Sequence, residues 1–331
     1  MSTGAGASDL LHAEDSGLET VVSGEQAVAA RSPLQLFWRR FRKDKIAMTA
    51  LGFIVLLVLV AILAKPITKL VGAPPPNVQE TSSLDDFGLP TGPSRDHLFG
   101  VDTIGRDVFS RTIYGAQVSL TVAFVGTGLS VLFGTILGIV AGFNRGWADT
   151  VIARSLDIML AFPVLLFGLG VATACSGENG CLGGVVQPGL SVVVAIIVLA
   201  NTPYVARIIR GQVLSLREKE FVEASRSLGA SNSRIMFRDI LPNLVAPIIV
   251  YSSLFIPANI LLEAALSFLG VGVQPPTASW GEMLSEAVSN FDTAWWFMLY
   301  PGLALLLTVL AFNLVGDGLQ DALNPKGTKS R

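Results

Sequence analysis

The chain has 331 residues, 51% of them hydrophobic and only 15% charged, with a formal net charge of -2. A mean hydropathy of +0.59 and a pI near 5.8 exclude a water-soluble domain of this length and leave no broad positive field for nucleic acid. These numbers suit a polytopic membrane protein, and the long apolar windows below make it an all-α one.

In chain order, residues 1–30 carry Asp9, Glu14, Asp15, Glu19 and Glu25, no Lys or Arg, and much Gly, Ala and Ser, which reads as a disordered cytoplasmic tail. From Pro33 to Lys45, Leu34, Leu36, Phe37, Trp38 and Phe41 are interleaved with Arg39, Arg40, Arg42, Lys43 and Lys45. This pattern fits an interfacial helix and equally a simple basic flank of a membrane span. Apolar windows, each long enough to cross ~30 Å of hydrocarbon, predict six transmembrane helices at 46–64, 118–142, 151–174, 188–209, 243–267 and 295–316. The first run lies too far from Met1 for a cleavable signal peptide and is expected to remain as an anchor.

The resulting organisation is a tail (1–30), a basic interfacial segment with the first span (31–64), an extracytoplasmic loop (65–117), a core (118–316) holding a cytoplasmic loop at 210–242, and a cytoplasmic tail (317–331). Orientation follows from Arg210, Arg217, Lys219, Arg226, Arg234 and Arg238 between spans four and five, against no Lys or Arg in the loops after spans three and five. Both termini are therefore expected in the cytoplasm. The long loop after span one carries Lys65, Lys69, Arg95, Arg106 and Arg111, but loops of that length follow the charge rule poorly.

In span two, Gly126, Ser130, Gly134, Gly138 and Gly142 recur every fourth position, so they line one narrow face where another helix can approach closely. Spans three to six contain Pro163, Pro203, Pro247, Pro257 and Pro301, and each removes a backbone bond and bends its helix. Kinks gathered in one bundle suggest a pathway. Asn201, Tyr204, Ser252, Ser253 and Asn259 are its candidate polar lining, with Thr202 and Asn313, and interhelical hydrogen bonding explains any one of them equally well.

Charges at membrane depth are costly. Arg154 and Asp157, three apart in span three, are expected to pair on one helix face, and Glu263 is placed near the outer end of span five, where water reaches it. No acidic relay crosses the bilayer, which weighs against an ion-coupled secondary carrier. Cys175 and Cys181, in the outer loop after span three, either form a disulfide closing a small loop or remain two thiols. With His12 in the tail and His97 in the outer loop as its two histidines, the chain has no intramembrane metal site of the usual kind. No lysine follows a glycine, so the chain holds no phosphate-binding P-loop, and neither a Gly-x-Ser-x-Gly elbow nor a His-Glu-x-x-His helix is present.

The loop between spans four and five is the most distinctive segment. Residues 217–228 suit a short helix with Phe221, Ala224, Ser225 and Leu228 on one face and Glu223 and Arg226 beside it. Gly229 stops it, Ser231 can cap a second short helix, and Pro242 is expected to end that helix as the chain re-enters the membrane.

Here the chain resembles a known family. Glu223-Ala224-Ser225-x-x-x-Gly229 followed by Ile240-Leu241-Pro242 is similar to the EAA loop in the membrane subunits of binding-protein-dependent ABC importers. Ser225 replaces the usual second alanine, and Asp239 stands where an apolar residue is common. Phe99-Gly100-Val101-Asp102-Thr103-Ile104-Gly105-Arg106-Asp107, Ala161-Phe162-Pro163, Glu263-Ala264-Ala265-Leu266-Ser267-Phe268-Leu269-Gly270, Trp280-Gly281 and Asp321-Ala322-Leu323-Asn324-Pro325 resemble the dipeptide, oligopeptide and nickel permease group, and the basic segment with the long first outer loop resembles its C-type subunit.

The resemblance implies a type I ABC importer permease fold and a transport role without enzymatic activity. It implies docking of Phe221, Glu223, Ala224, Ser225, Leu228, Gly229, Ile240, Leu241 and Pro242 onto an ATPase. It also implies a B-type permease partner, two ATPase subunits that carry ATP and magnesium, and an extracytoplasmic solute-binding protein. The cargo would be a di- or oligopeptide, with nickel, glutathione or another small solute as the alternative.

Overall fold

The structure is a computed structural model that describes residues 33–323 apart from 145, 178 and 179; the expected disordered tail at 1–30 and residues 324–331 of the C-terminal tail lie outside the described residues. Its elements are α1 (Pro33–Phe41), α2 (Lys45–Ile62), α3 (Ala64–Val71), α4 (Val108–Phe143), α5 (Trp147–Leu160), α6 (Val164–Ala174), α7 (Leu190–Leu216), α8 (Glu220–Ser227), a short turn at Asn232–Arg234 running through a π-helical stretch Ile235–Ile240 into α9 (Leu241–Phe268), α10 (Trp280–Val288) and α11 (Trp295–Leu323). Among the described residues, five helices are long and apolar enough to cross a membrane, and there are six if the bent pair α5–α6 counts as one broken span.

Local chemistry sets the ends. The Asp44 carboxylate accepts from the amides of Ile46 and Ala47, both at 3.0 Å, and starts α2. Asp107 accepts from the Ser110 amide at 2.7 Å and starts α4. Each satisfies amides that the first turn leaves without a helical partner.

The glycine face decides the packing. Gly126, Ser130, Gly134, Gly138 and Gly142 are all buried, and α4 packs along α7 through them. A Cβ added at Gly138 would sit 2.7 Å from both the Ala206 carbonyl oxygen and Ile209 Cβ, and one at Gly134 2.5 Å from Val205 Cβ. The two backbones have closed to a distance that leaves no room for a side chain. Half of the most apolar window is buried in α4 and in α7, against 22% in α2, so α4 and α7 form the interior pair. α9 packs on α4 and α11, and α2 lies outside against α11.

Several expectations need correction. Span two begins at Val108 rather than 118, because Ser110, Arg111 and Thr112, which lower the hydropathy there, are buried and bonded inside the protein. Span three breaks by 89° between α5 and α6, at Phe162-Pro163, since proline lacks the amide and disfavours helical backbone in the residue before it. Pro242 does not end a helix: helical backbone runs from the π-helical stretch through it into α9.

The expected pair on one helix face is present, with Arg154 Nη1 3.9 Å from Asp157 Oδ2, and Asp157 is also hydrogen-bonded to Arg207 of α7. The carboxylate thus serves both its own helix face and a second helix. Glu263 is fully buried rather than wetted, and it accepts from Ser119 Oγ at 2.8 Å and Ser267 Oγ at 2.9 Å. Cys175 and Cys181 are joined, with their sulfurs 2.06 Å apart.

Candidate functional site

α8 is short and half anchored. Val222 has no exposed surface and sits in a cluster with Val213, Ile235, Ile240 and Leu244, which ties α8 to the end of α7 and the start of α9. Arg217, just before α8, donates from Nη1 to the Gly142 carbonyl at 2.7 Å and ties the same corner to α4. Gly229, with φ of +79°, ends α8 in the left-handed conformation glycine tolerates best. Ser231 Oγ accepts from the Arg234 amide and opens the next turn.

The opposite side of α8 faces outward. Leu228 is 88% exposed, Phe221 41% and Phe237 61%, with Glu223 and Ala224 also exposed, Ser225 half-buried and Gly229 at the surface. Ile240 is buried, Leu241 half-buried and Pro242 exposed. The site therefore divides into an inward anchor (Val222, Ile240) and an outward apolar patch (Phe221, Leu228, Phe237). Apolar groups held against water in this way mark a surface for a partner. Sequence reasoning missed Val222 and Phe237: one buried residue in an eight-residue helix produces no readable period, and Phe237 lies in a π-helical stretch that breaks the 3.6-residue repeat.

The candidate pathway residues separate in space. Asn201 Nδ2 donates to Asn259 Oδ1, and Asn259 Nδ2 to Thr127 Oγ1, each at 2.7 Å, so these two asparagines join α4, α7 and α9. Ser252 Oγ donates to the Ile248 carbonyl and Ser253 Oγ to the Val250 carbonyl within their own helix. Tyr204 is 49% exposed and lines a cleft with Met159, Phe162 and Leu199 at the break in span three.

On the opposite end the outer-loop motifs converge. Arg106 donates to Asp102 and Glu286, and Arg111 Nη2 to Glu282 Oε2 at 2.8 Å. Asp102, Arg106, Arg111 and Glu282 are all buried. His97 Nδ1 lies 2.9 Å from Asp107 Oδ2 and its Nε2 2.9 Å from Ser83 Oγ. Trp280 Nε1 donates to the Thr112 carbonyl at 3.0 Å. Gly105, at φ of +80°, is held so close that a Cβ would fall 2.4 Å from the Glu80 carbonyl oxygen. The segment Phe99 to Asp107 is thus a clasp that fastens the outer loop to α10.

Burial, partly offset by Arg111 and reinforced by Glu286, pushes the Glu282 carboxyl up from 4.5 to about 8. Over that range the folded chain holds a proton that the unfolded chain has released, so stability falls as pH rises from the lower value to the upper and then levels off. The unfolding midpoint of the purified chain should therefore drop between about pH 5 and about pH 8, and Glu282→Gln should flatten the decline. Equal slopes in the two proteins would contradict this assignment.

Comparison with known proteins agrees with this geometry. The profile of the family described as binding-protein-dependent transport system inner membrane component matches residues 134–329. That of the N-terminal TM domain of oligopeptide transport permease C matches residues 32–86. The chain is 39% identical over 302 residues to the dipeptide transport system permease protein DppC of Alkalihalophilus pseudofirmus, covering 91% of this chain and 93% of that one. It is 42% identical over 296 residues to the glutathione transport system permease protein GsiD of Escherichia coli, covering 89% and 91%.

A solved inward-facing structure of the MetNI methionine ABC transporter superposes with a TM-score of 0.54 at 16% identity, over 65% of this chain and 97% of that one, which shows a shared fold. The matched domains and the relatives of 39% and 42% identity, with the anchored loop and the glycine-packed helix pair beside them, lead to one conclusion: the chain belongs to the inner-membrane permease subunits of binding-protein-dependent ABC transport systems, and is of the oligopeptide permease C type.

Proposed function

We propose that this subunit forms, with a B-type permease, the pathway for di- or oligopeptides delivered by an extracytoplasmic solute-binding protein, and that α8 receives the stroke of an ATPase bound on the cytosolic side. Both termini then lie in the cytoplasm, as the distribution of Lys and Arg requires. ATP and magnesium belong to the two ATPase subunits, and this chain converts their movement into a change of access.

The observation that carries the reading is the division of α8 into a seated face and a bare one. Leu228 and Phe221 present apolar surface for a partner cleft. Val222, packed among Val213, Ile235, Ile240 and Leu244, couples α8 rigidly to α7 and α9. A push on the bare face enters two membrane helices at once, because Val222 packs against Val213 of α7 and against Ile235, Ile240 and Leu244, and helical backbone is continuous from Asn232 to Phe268. Tyr204 at the break in span three, with Ser252, Ser253, Asn201 and Asn259 along α7 and α9, is the proposed polar side of the pathway.

Proteoliposomes holding this subunit, its B-type partner and the ATPases should take up a radiolabelled dipeptide only when ATP and the binding protein are both supplied. Competition with unlabelled tripeptide, glutathione and nickel ranks the cargo. Glutathione is the second reading, supported by the 42% identity to GsiD. Uptake that proceeds on an ion gradient without ATP would overturn both.

A further inference from the structure

The outward edge of α1 has no part in the transport reading. Its roll is fixed from within: Phe41 and Ala47 are buried at Gly318 of α11, where an added Cβ would fall 2.4 Å from Ala47 Cβ and 3.3 Å from the Phe41 ring. The glycine lets α1 and the start of α2 lie tight on α11. This placement turns Leu36, Trp38 and Ile46 outward, at 40%, 46% and 63% exposure. Arg39, Arg42, Lys43 and Lys45 are exposed beside them. The Arg42 guanidinium lies 5.7 Å over the Trp38 ring, a cation–π contact that holds the charge next to the apolar edge. Asp44, the nearest carboxylate in sequence, is turned to the backbone amides of α2.

We infer that Arg39, Arg42, Lys43 and Lys45 with Leu36, Trp38 and Ile46 form a binding site for anionic phospholipid on the leaflet that α1 faces. The cations meet the phosphate and the apolar side chains seat among the acyl chains. A basic flank that serves only to orient the chain needs charge alone. Here an aromatic ring and two aliphatic side chains are exposed in the same short segment as the cations, and α2 goes on to expose Val55, Leu56 and Leu59 further along. Charge complementarity selects an anionic headgroup over a zwitterionic one.

The test uses the full chain in nanodiscs of mixed phosphatidylcholine and phosphatidylglycerol, with trace spin-labelled lipid of either kind. The immobilised fraction of each label reports its relative association. Because each cation near a charged surface contributes roughly fivefold, the wild-type chain should prefer phosphatidylglycerol by at least about tenfold. Arg39→Gln/Arg42→Gln/Lys43→Gln should cut the ratio to no more than about the fivefold that Lys45 alone can supply, and Lys65→Gln/Lys69→Gln, beyond the other end of α2, should leave it unchanged. Added salt should weaken the wild-type preference.

An equal thermal midpoint in all three proteins confirms that folding is not the cause. No wild-type preference, or the same preference in the triple variant, would overturn the site. A preference that emerges only after residues 1–30 are deleted would also overturn it, by assigning the strip to the acidic tail. Peptide uptake enters none of these readouts.

Discussion

Leu228→Asp should reduce ATP-driven uptake by on the order of a hundredfold, the loss expected of a central interface anchor, in a chain that still inserts and accumulates normally. Leu228 is 88% exposed, so the fold itself loses almost nothing. An apolar partner cleft would have to take up an unpaired carboxylate, whose desolvation no contact there repays. Val222→Asp provides the contrast: that side chain is fully buried, and the substitution should deplete the chain from the membrane rather than uncouple it. Immunoblots of the membrane fraction alongside labelled-peptide uptake separate the two. Normal uptake by the Leu228 variant at wild-type abundance would remove α8 from the coupling path.

Gly138→Leu should prevent stable folding, leaving little protease-resistant chain in the membrane. A leucine there meets a backbone atom, the Ala206 carbonyl oxygen at 2.7 Å from the added Cβ, and backbone cannot step aside as a flexible side chain can. Overpacking an interior by ordinary amounts costs about 1–3 kcal/mol. Parting α4 from α7 also opens their interface over several turns, from Gly126 to Gly142. Gly128→Leu lies on the same helix with nothing within 4 Å of the added Cβ, and should be neutral or slightly favourable, since glycine is a poor helix former. Equal yields of the two variants would refute close packing along this face.

The spans and the glycine face were legible because both rest on period and length. An apolar run of sufficient length and small residues every fourth position carry their meaning locally. Gly229 and Ser231 were legible for the same reason, being cap chemistry that acts within a single turn. The start of α4 was not, since Arg111 reads as polar until Glu282 of α10 is known to meet it, far along the chain. The pairing of Asp157 with Arg154 was legible from their spacing, and the added bond from Arg207 of α7 was not, because it depends on how the two helices pack.

The same limit applied to Glu263. A lone carboxylate near a helix end suggests water, and only the packing of α4 against α9 shows Ser119 waiting there. Within the segment around α8 the bare face was readable from Phe221 and Leu228, but the seat was not. Val222 is distinguished from Phe221 by what Ile235 and Ile240 place beneath it. The π-helical stretch carrying those two residues has no sequence signature, although Pro242 just beyond it marks a place where regular helical bonding fails.

The measurement that bears most directly on the coupling role of α8 is labelling of Leu228→Cys with a membrane-impermeant maleimide. The native Cys175 and Cys181 are bonded to each other, so the introduced thiol is the reactive one. In inside-out vesicles the account predicts rapid labelling of the permease pair alone and strong protection once the ATPases are bound, with the degree of protection changing between nucleotide-free and ATP-bound states. Labelling in right-side-out vesicles, or a rate that the ATPases leave unaltered, would contradict it.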